Sequence, residues 1–361
     1  MVRKLLLWLH LVAGLLAAIV LILLGVTGAV MVFETPIDHA LNAKLYRIQP
    51  LSTPLGLNAF VTKIEQARPG ARVTTLFLSP DDDIAARVSL RGSDGKPVTV
   101  TANPYTGEII GSLGTANNFT NKLHQFHKNL LLDAKGKLIT GCGALLLIVL
   151  SLTGLVLWWP RRIWKLSDLK PGRRTNFDLH NALGFWSSIF LFLFGVTGAV
   201  IHWESETARF LDRLTYAPPT PPVPPVKPAP NTPLLGAEEL ANAAAQAVPG
   251  AQLISLMGLG NPRNPVRVAM HFPEDRTPGG RTIVQLHPTT GAVLAVQNSR
   301  DAPAAYRFVK LWNRQLHTGD TFGWPSRIVA CLASLALPLL ALTGPLIWWG
   351  KFKRRDRGEE A

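Results

Sequence analysis

The chain has only two cysteines in 361 residues, Cys142 and Cys331, and both fall inside long apolar runs. A disulfide framework for exposed parts is excluded, and both are read as apolar packing residues. There is no glycine-rich phosphate loop, no HExxH zinc motif and no GxSxG elbow. Nor is there the close Cys/His spacing that a zinc site needs. Acidic residues are few, 23 against 37 Lys and Arg, which leaves a net charge of +14. Such an excess can suggest nucleic acid, but no soluble basic fold remains to carry it.

What fills the space is apolar. Hydrophobic residues make up 47% of the chain and the mean hydropathy is +0.19, too high for an ordinary soluble protein of this length. Four runs reach the roughly 20 residues needed to cross a bilayer: 5–33, 138–159, 180–203 and 328–349. The first is longer than a signal-peptide core and no small-residue cleavage site follows it, so it is read as an uncleaved span. Basic residues crowd at Arg3 and Lys4, at RRIWKLSDLKPGRR (Arg161 to Arg174) and at KFKRRDR (Lys351 to Arg357). These are the two ends and the short middle loop. By the positive-inside rule both termini, the 160–177 loop and the 350–361 tail are cytoplasmic. Trp158–Trp159 and Trp348–Trp349 are expected as aromatic anchors at the same interface.

The chain also repeats itself. At an offset of 170, His10, Gly14, Gly25, Thr27, Gly28 and Glu34 match His180, Gly184, Gly195, Thr197, Gly198 and Glu204. At an offset of 190, LTG-x3-WW at Leu152 matches LTG-x3-WW at Leu342, and His127 matches His317. The external segments, 34–135 and 204–325, correspond too: ARPGARV with AVPGAQL, and NPYTGEIIG with HPTTGAVLA. Each opens with an expected helix (58–67 and 237–247), continues in alternating strands and ends in a TG turn. Their cores are set at about 56–112 and 234–296. The proline-rich stretch 217–233 reads as a stiff spacer. The expected fold is therefore an α-helical membrane protein: four spans in two parallel repeats, each with an inserted small α+β domain.

This layout, the H-x3-G start of the odd spans and the TG ends of the outer segments resemble the PepSY-associated transmembrane family of bacterial inner-membrane proteins, across nearly the whole chain. The resemblance implies PepSY-like periplasmic domains and includes haem-binding ferrisiderophore reductases, so it implies an iron-uptake oxidoreductase. It has no flavin or nicotinamide module here, which leaves the donor open between quinol and a cytoplasmic protein.

Four of the nine histidines form the two repeat-matched pairs, and ionisable groups near or within spans are functional by default. His10 and His180 lie just inside the cytoplasmic ends of spans one and three; His127 and His317 lie outside, ahead of spans two and four. Each pair can hold one metal, and neutral imidazoles on facing helices suit haem iron. Two bis-histidine b haems are expected, one per membrane face. Gly14 and Gly184 follow the first pair by one turn, and Gly28 and Gly198 follow by five turns on the same face; all four are expected to give a flat porphyrin room. His124, one turn from His127, and His202 are the alternatives for the outer ligand. Arg314 is a candidate for a haem propionate. Glu34 and Glu204 read as solvated span ends, with proton or substrate handling as the alternative. The expected partners are a ferric siderophore or other periplasmic acceptor, an electron donor and the bilayer. The rival reading is a membrane-anchored PepSY protein that binds or regulates a periplasmic protein or peptidase.

Overall fold

A computed structural model describes residues 1–113, 119–167, 170, 172–216, 223–227, 232–275 and 281–356. In chain order its elements are α1 (Val2–Met31), α2 (Glu34–Leu41), α3 (Ala43–Tyr46), α4 (Leu57–Ala67), β1 (Arg72–Phe77), β2 (Ala86–Arg91), β3 (Pro97–Ala102) and β4 (Ile109–Ser112). There follow α5 (Phe119–Asn129), α6 (Asp133–Trp158), α7 (Arg173–His202), α8 (Glu204–Leu214) and α9 (Ala237–Ala247). The chain closes with β5 (Gln252–Met257), β6 (Val266–His271), β7 (Thr282–Leu286), β8 (Val293–Gln297), α10 (Ala304–Tyr306), α11 (Asn313–Thr318) and α12 (Trp324–Asp356). Most of the proline-rich spacer expected at 217–233 and the end of the 350–361 tail lie outside the described residues. The chain divides into two units, one of spans and one of sheet.

Four helices, α1, α6, α7 and α12, are long and apolar enough to cross a membrane. Such runs become helices because lipid offers backbone N–H and C=O groups no partner outside the segment. α1 and α7 each pack against both α6 and α12, which closes a four-helix ring. Gly25 and Gly195 allow its closest crossings. A Cβ at Gly25 would lie 2.7 Å from Pro338 and 2.9 Å from the Ser334 carbonyl; one at Gly195 would lie 2.9 Å from Ile148. Ala17, Leu21, Leu147, Leu191 and Leu337 fill the middle of the bundle. The cysteines take little part in it: Cys142 is exposed on α6 and Cys331 is half-buried.

The sheet unit differs from the two separate α+β domains expected. Its eight strands form one antiparallel sheet in the order β4-β3-β2-β1-β5-β6-β7-β8. The two halves meet at β1 and β5, in the register Thr75↔Met257, Leu76↔Leu256 and Phe77↔Ser255. A β1 left at an edge would expose unpaired backbone groups, and pairing with β5 removes that liability. Helices α4 and α9 cover one face with Phe60, Ile64, Leu240 and Ala244, over Leu76, Val88, Val100, Leu256, Val268 and Val284 in a single core. Asn58 ties the halves further: its Nδ2 donates to Glu239 and its Oδ1 accepts from the Glu238 amide at 3.0 Å. The TG turns lie between β3 and β4 and between β7 and β8, with Gly107 at φ +78° and Gly291 at φ +69°, values at which a side chain is strained.

Candidate functional site

The bundle brings the four matched histidines into two pairs. The ring centres of His10 (α1) and His180 (α7) are 6.3 Å apart, with the planes at 87°. Those of His127 (α5) and His317 (α11) are 6.4 Å apart, at 62°. Imidazoles that each set a nitrogen about 2.0 Å from a shared ion, with about 1.1 Å more to the ring centre, would have centres about 6 Å apart. Both pairs have about that separation.

Each imidazole is seated in the same way, on a Thr–Gly dipeptide of a neighbouring span. His10 Nδ1 is 2.9 Å from Thr153 Oγ1, and His180 Nδ1 is 2.8 Å from Thr343 Oγ1. His127 and His317 make the same contact with Thr27 and Thr197, each at 2.8 Å. All four hydroxyls already donate to the carbonyl one turn back, at Leu23, Val149, Leu193 and Leu339. A threonine hydroxyl has one proton, so towards the ring it can only accept. Each Nδ1 therefore carries the proton and donates, and each Nε2 keeps its lone pair for a metal. This is how an outer hydrogen bond fixes the tautomer and aim of a ligand histidine.

The glycine of each dipeptide makes room for the ring. A Cβ at Gly154 would stand 3.2 Å from His10 Cε1. At Gly344, Gly28 and Gly198 it would stand 3.4 Å from Cε1 of His180, His127 and His317 respectively. Gly28 and Gly198 thus back imidazoles. Gly14 and Gly184 behave differently: their nearest neighbours would be Leu150 and Leu340, each at 3.6 Å, and both line a cavity.

That cavity measures 740 Å³ and is bordered by both His10 and His180. Leucine is the commonest residue of its walls, joined by Trp158, Phe177, Phe185 and Trp348, and Arg3, Arg161 and Lys351 stand at its helix ends. An apolar slot with two facing imidazoles and three exposed cations suits a flat apolar metal-bearing group with acidic substituents. Among the described residues no cluster of three or more His, Cys, Asp or Glu could hold a metal ion.

Burial lowers the pKa of His127 to about 3, aided by the charge His317 can carry, and lowers His317 to about 4, aided by Arg314. Both are neutral at pH 7, the form that binds metal. The rival ligands sit elsewhere. His124 Nδ1 meets Glu34 Oε2 at 3.2 Å, so Glu34 is paired and not simply a solvated span end. His202 packs against Trp203, at 4.1 Å between centres, and a Cβ at Gly141 would lie 2.7 Å from its ring. Thr27, Thr153, Thr197 and Thr343, with Gly154 and Gly344, are the functional residues that sequence reasoning left without a role. Their signal was a TG dipeptide in all four spans.

The family model described as the PepSY-associated TM region matches residues 7–351. No curated protein matches the chain.

Proposed function

Since the chain belongs to the PepSY-associated transmembrane family and so is a multi-pass membrane protein, we propose that it carries electrons across the bacterial inner membrane to a periplasmic acceptor. Its two halves are parallel repeats, with both termini in the cytoplasm and the PepSY-like sheet in the periplasm. Two b haems are its cofactors. His10 and His180 hold one, with Gly14 and Gly184 lining its slot, and His127 and His317 hold the other. The observation that carries this reading is the twice-repeated spacing of 6.3 and 6.4 Å between imidazoles of matched origin.

Haem iron supplies reversible one-electron chemistry when bound. The protein's part is to aim and tune. Threonine hydroxyls fix four imidazoles as Nδ1–H tautomers and raise their basicity. Leucines keep water from the slot, and Arg3, Arg161 and Lys351 neutralise carboxylates at its mouth. The acceptor is a ferric siderophore: one electron converts its ferric iron to ferrous iron, which the hard oxygen ligands of a siderophore hold more weakly, and iron is released.

The test is the absorption spectrum of detergent-purified protein, oxidised and dithionite-reduced, with haem counted per chain. Two low-spin b haems are expected, one lost in His180→Ala and the other in His317→Ala. Protein that stays colourless after expression with ample haem overturns the reading.

A further inference from the structure

The two members of each pair are not held equally. Asn176 and Asn313 lie four residues, one helical turn, before His180 and His317. Each reaches the threonine that already seats its histidine. Asn176 Nδ2 donates to the Thr343 carbonyl at 3.1 Å, and Asn313 Nδ2 donates to the Thr197 carbonyl at 3.1 Å. The helices carrying His180 and His317 therefore grip the facing span at two points of one residue, its hydroxyl and its carbonyl. One turn before His10 and His127 stand Leu6 and Leu123, which have nothing to donate.

Asn313 shows how much rests on this bond. It is fully buried, and its Oδ1 is a buried oxygen with no partner among the described residues. An unpaired buried oxygen is unfavourable, so the amide at this place is there for what its Nδ2 does. The grip matters because each imidazole lies against a glycine on the facing helix. A ring so wedged keeps its place while the two helices stay together, and the asparagine bond opposes their parting at His180 and His317; on α5 the nearest counterpart is the half-exposed His124–Glu34 contact at 3.2 Å, a surface pair worth little.

We propose that Asn176 and Asn313 are positioning residues that make His180 and His317 the fixed member of each pair, so that His10 and His127 are the members a small exogenous ligand displaces. This rests on the haem reading above.

The test compares glycine variants of both members. His10→Gly and His127→Gly are expected to retain their haem as a five-coordinate, high-spin species that returns to low spin on addition of imidazole. His180→Gly and His317→Gly are expected to lose theirs. In the reduced protein Asn176→Asp, which keeps the volume and removes the donor, should bind carbon monoxide roughly tenfold faster at the first pair, the effect of one lost hydrogen bond. Leu6→Met, at the matching turn, should leave that rate within about twofold, a change too small for a lost hydrogen bond. Retention or loss of haem alike in the two members, or an unchanged rate in Asn176→Asp, overturns the proposal. Wild-type protein without haem overturns the haem reading instead. The positioning roles are then decided on that same protein by ¹⁵N-histidine NMR, where His180 and His317 should give sharp single-tautomer signals and His10 and His127 broadened ones. Equal widths refute the roles.

Discussion

Replacing Thr153 with valine tests the seating of the imidazoles most directly. The side chains are nearly isosteric, so the change removes one oxygen and leaves the helix contact. In the native protein Thr153 Oγ1 donates to Val149 O at 2.6 Å and accepts from His10 Nδ1 at 2.9 Å. In the variant the Nδ1–H loses its hydroxyl acceptor and keeps only the Leu150 carbonyl, at a cost of about 1 kcal/mol. Loss of an outer-sphere partner of this kind lowers metal affinity about 10- to 100-fold. There is also an electronic consequence with a definite sign. A bonded Nδ1–H makes the imidazole a stronger donor, which favours ferric over ferrous iron. If about 1 kcal/mol of that preference is lost, the midpoint potential rises by about 40 mV. If two b haems are bound as proposed, redox titration of their absorbances should then show one potential raised and the other unmoved, because Thr153 bonds only His10 among the four paired histidines. Thr197→Val should move the other potential. Equal movement of both, or full haem content with neither moved, would falsify the account of the threonines.

Gly198→Leu drives carbon into the ring of His317, already 3.4 Å from an added Cβ, so it should cost the second pair its haem and spare the first; two haems per chain in this variant refute the seating. Acid should weaken the fold through His127 and His317. Their folded pKa values lie below 6.5, so as pH falls from 6.5 towards about 4 the unfolded chain takes up protons that the folded chain refuses. Stability is complete above pH 6.5 and falls on acidification, and the haem-free protein should lose more Tm between pH 7 and 5 than its His317→Leu variant; equal losses contradict this. Leu76 is fully buried beside the joint of the two half-sheets, and Leu76→Ala should destabilise the sheet unit by about 2–5 kcal/mol in chemical denaturation, a loss under about 1 kcal/mol counting against a single shared core.

Much of the site could be read in advance because charge and hydropathy fix which end of each span meets which. Basic residues beside Arg3 and Arg161 put His10 and His180 at one level, and the matched offset put His127 and His317 at the other. What could not be read is what each side chain meets across a helix interface. Thr153 and Gly154 serve a histidine 143 residues away, and no periodicity in either segment reports such a pairing. Trp158 was expected as an interface anchor, yet it is buried, stacked on Phe185 at 4.0 Å, with its Nε1 bonded to Ile163 O. A paired motif gives no hint of which tryptophan turns inward; Trp159 is the one exposed. The joined sheet was hidden for a similar reason. β1 is buried at Val73 and Leu76, and β5 along the whole run from Ile254 to Leu256, but strand partners are a matter of edges, which a one-dimensional pattern does not display.

The spacing within the odd spans now has a physical cause. From His10 to Gly28 is eighteen residues, five full turns and about 27 Å of helix. The same count separates His180 from Gly198. One face of α1 therefore offers an imidazole at one end and a ring seat at the other, and α7 does the same. The even spans carry seats but no ligand: α6 receives His10 and α12 receives His180. The second pair of imidazoles comes from the short helices α5 and α11, each just ahead of an even span. A shift of one residue in either odd helix would turn the seat by about 100° and break the two levels apart. That geometric demand, more than the apolarity of the segment, accounts for the recurrence of both a histidine and TG at fixed distance in two spans that otherwise differ at many positions.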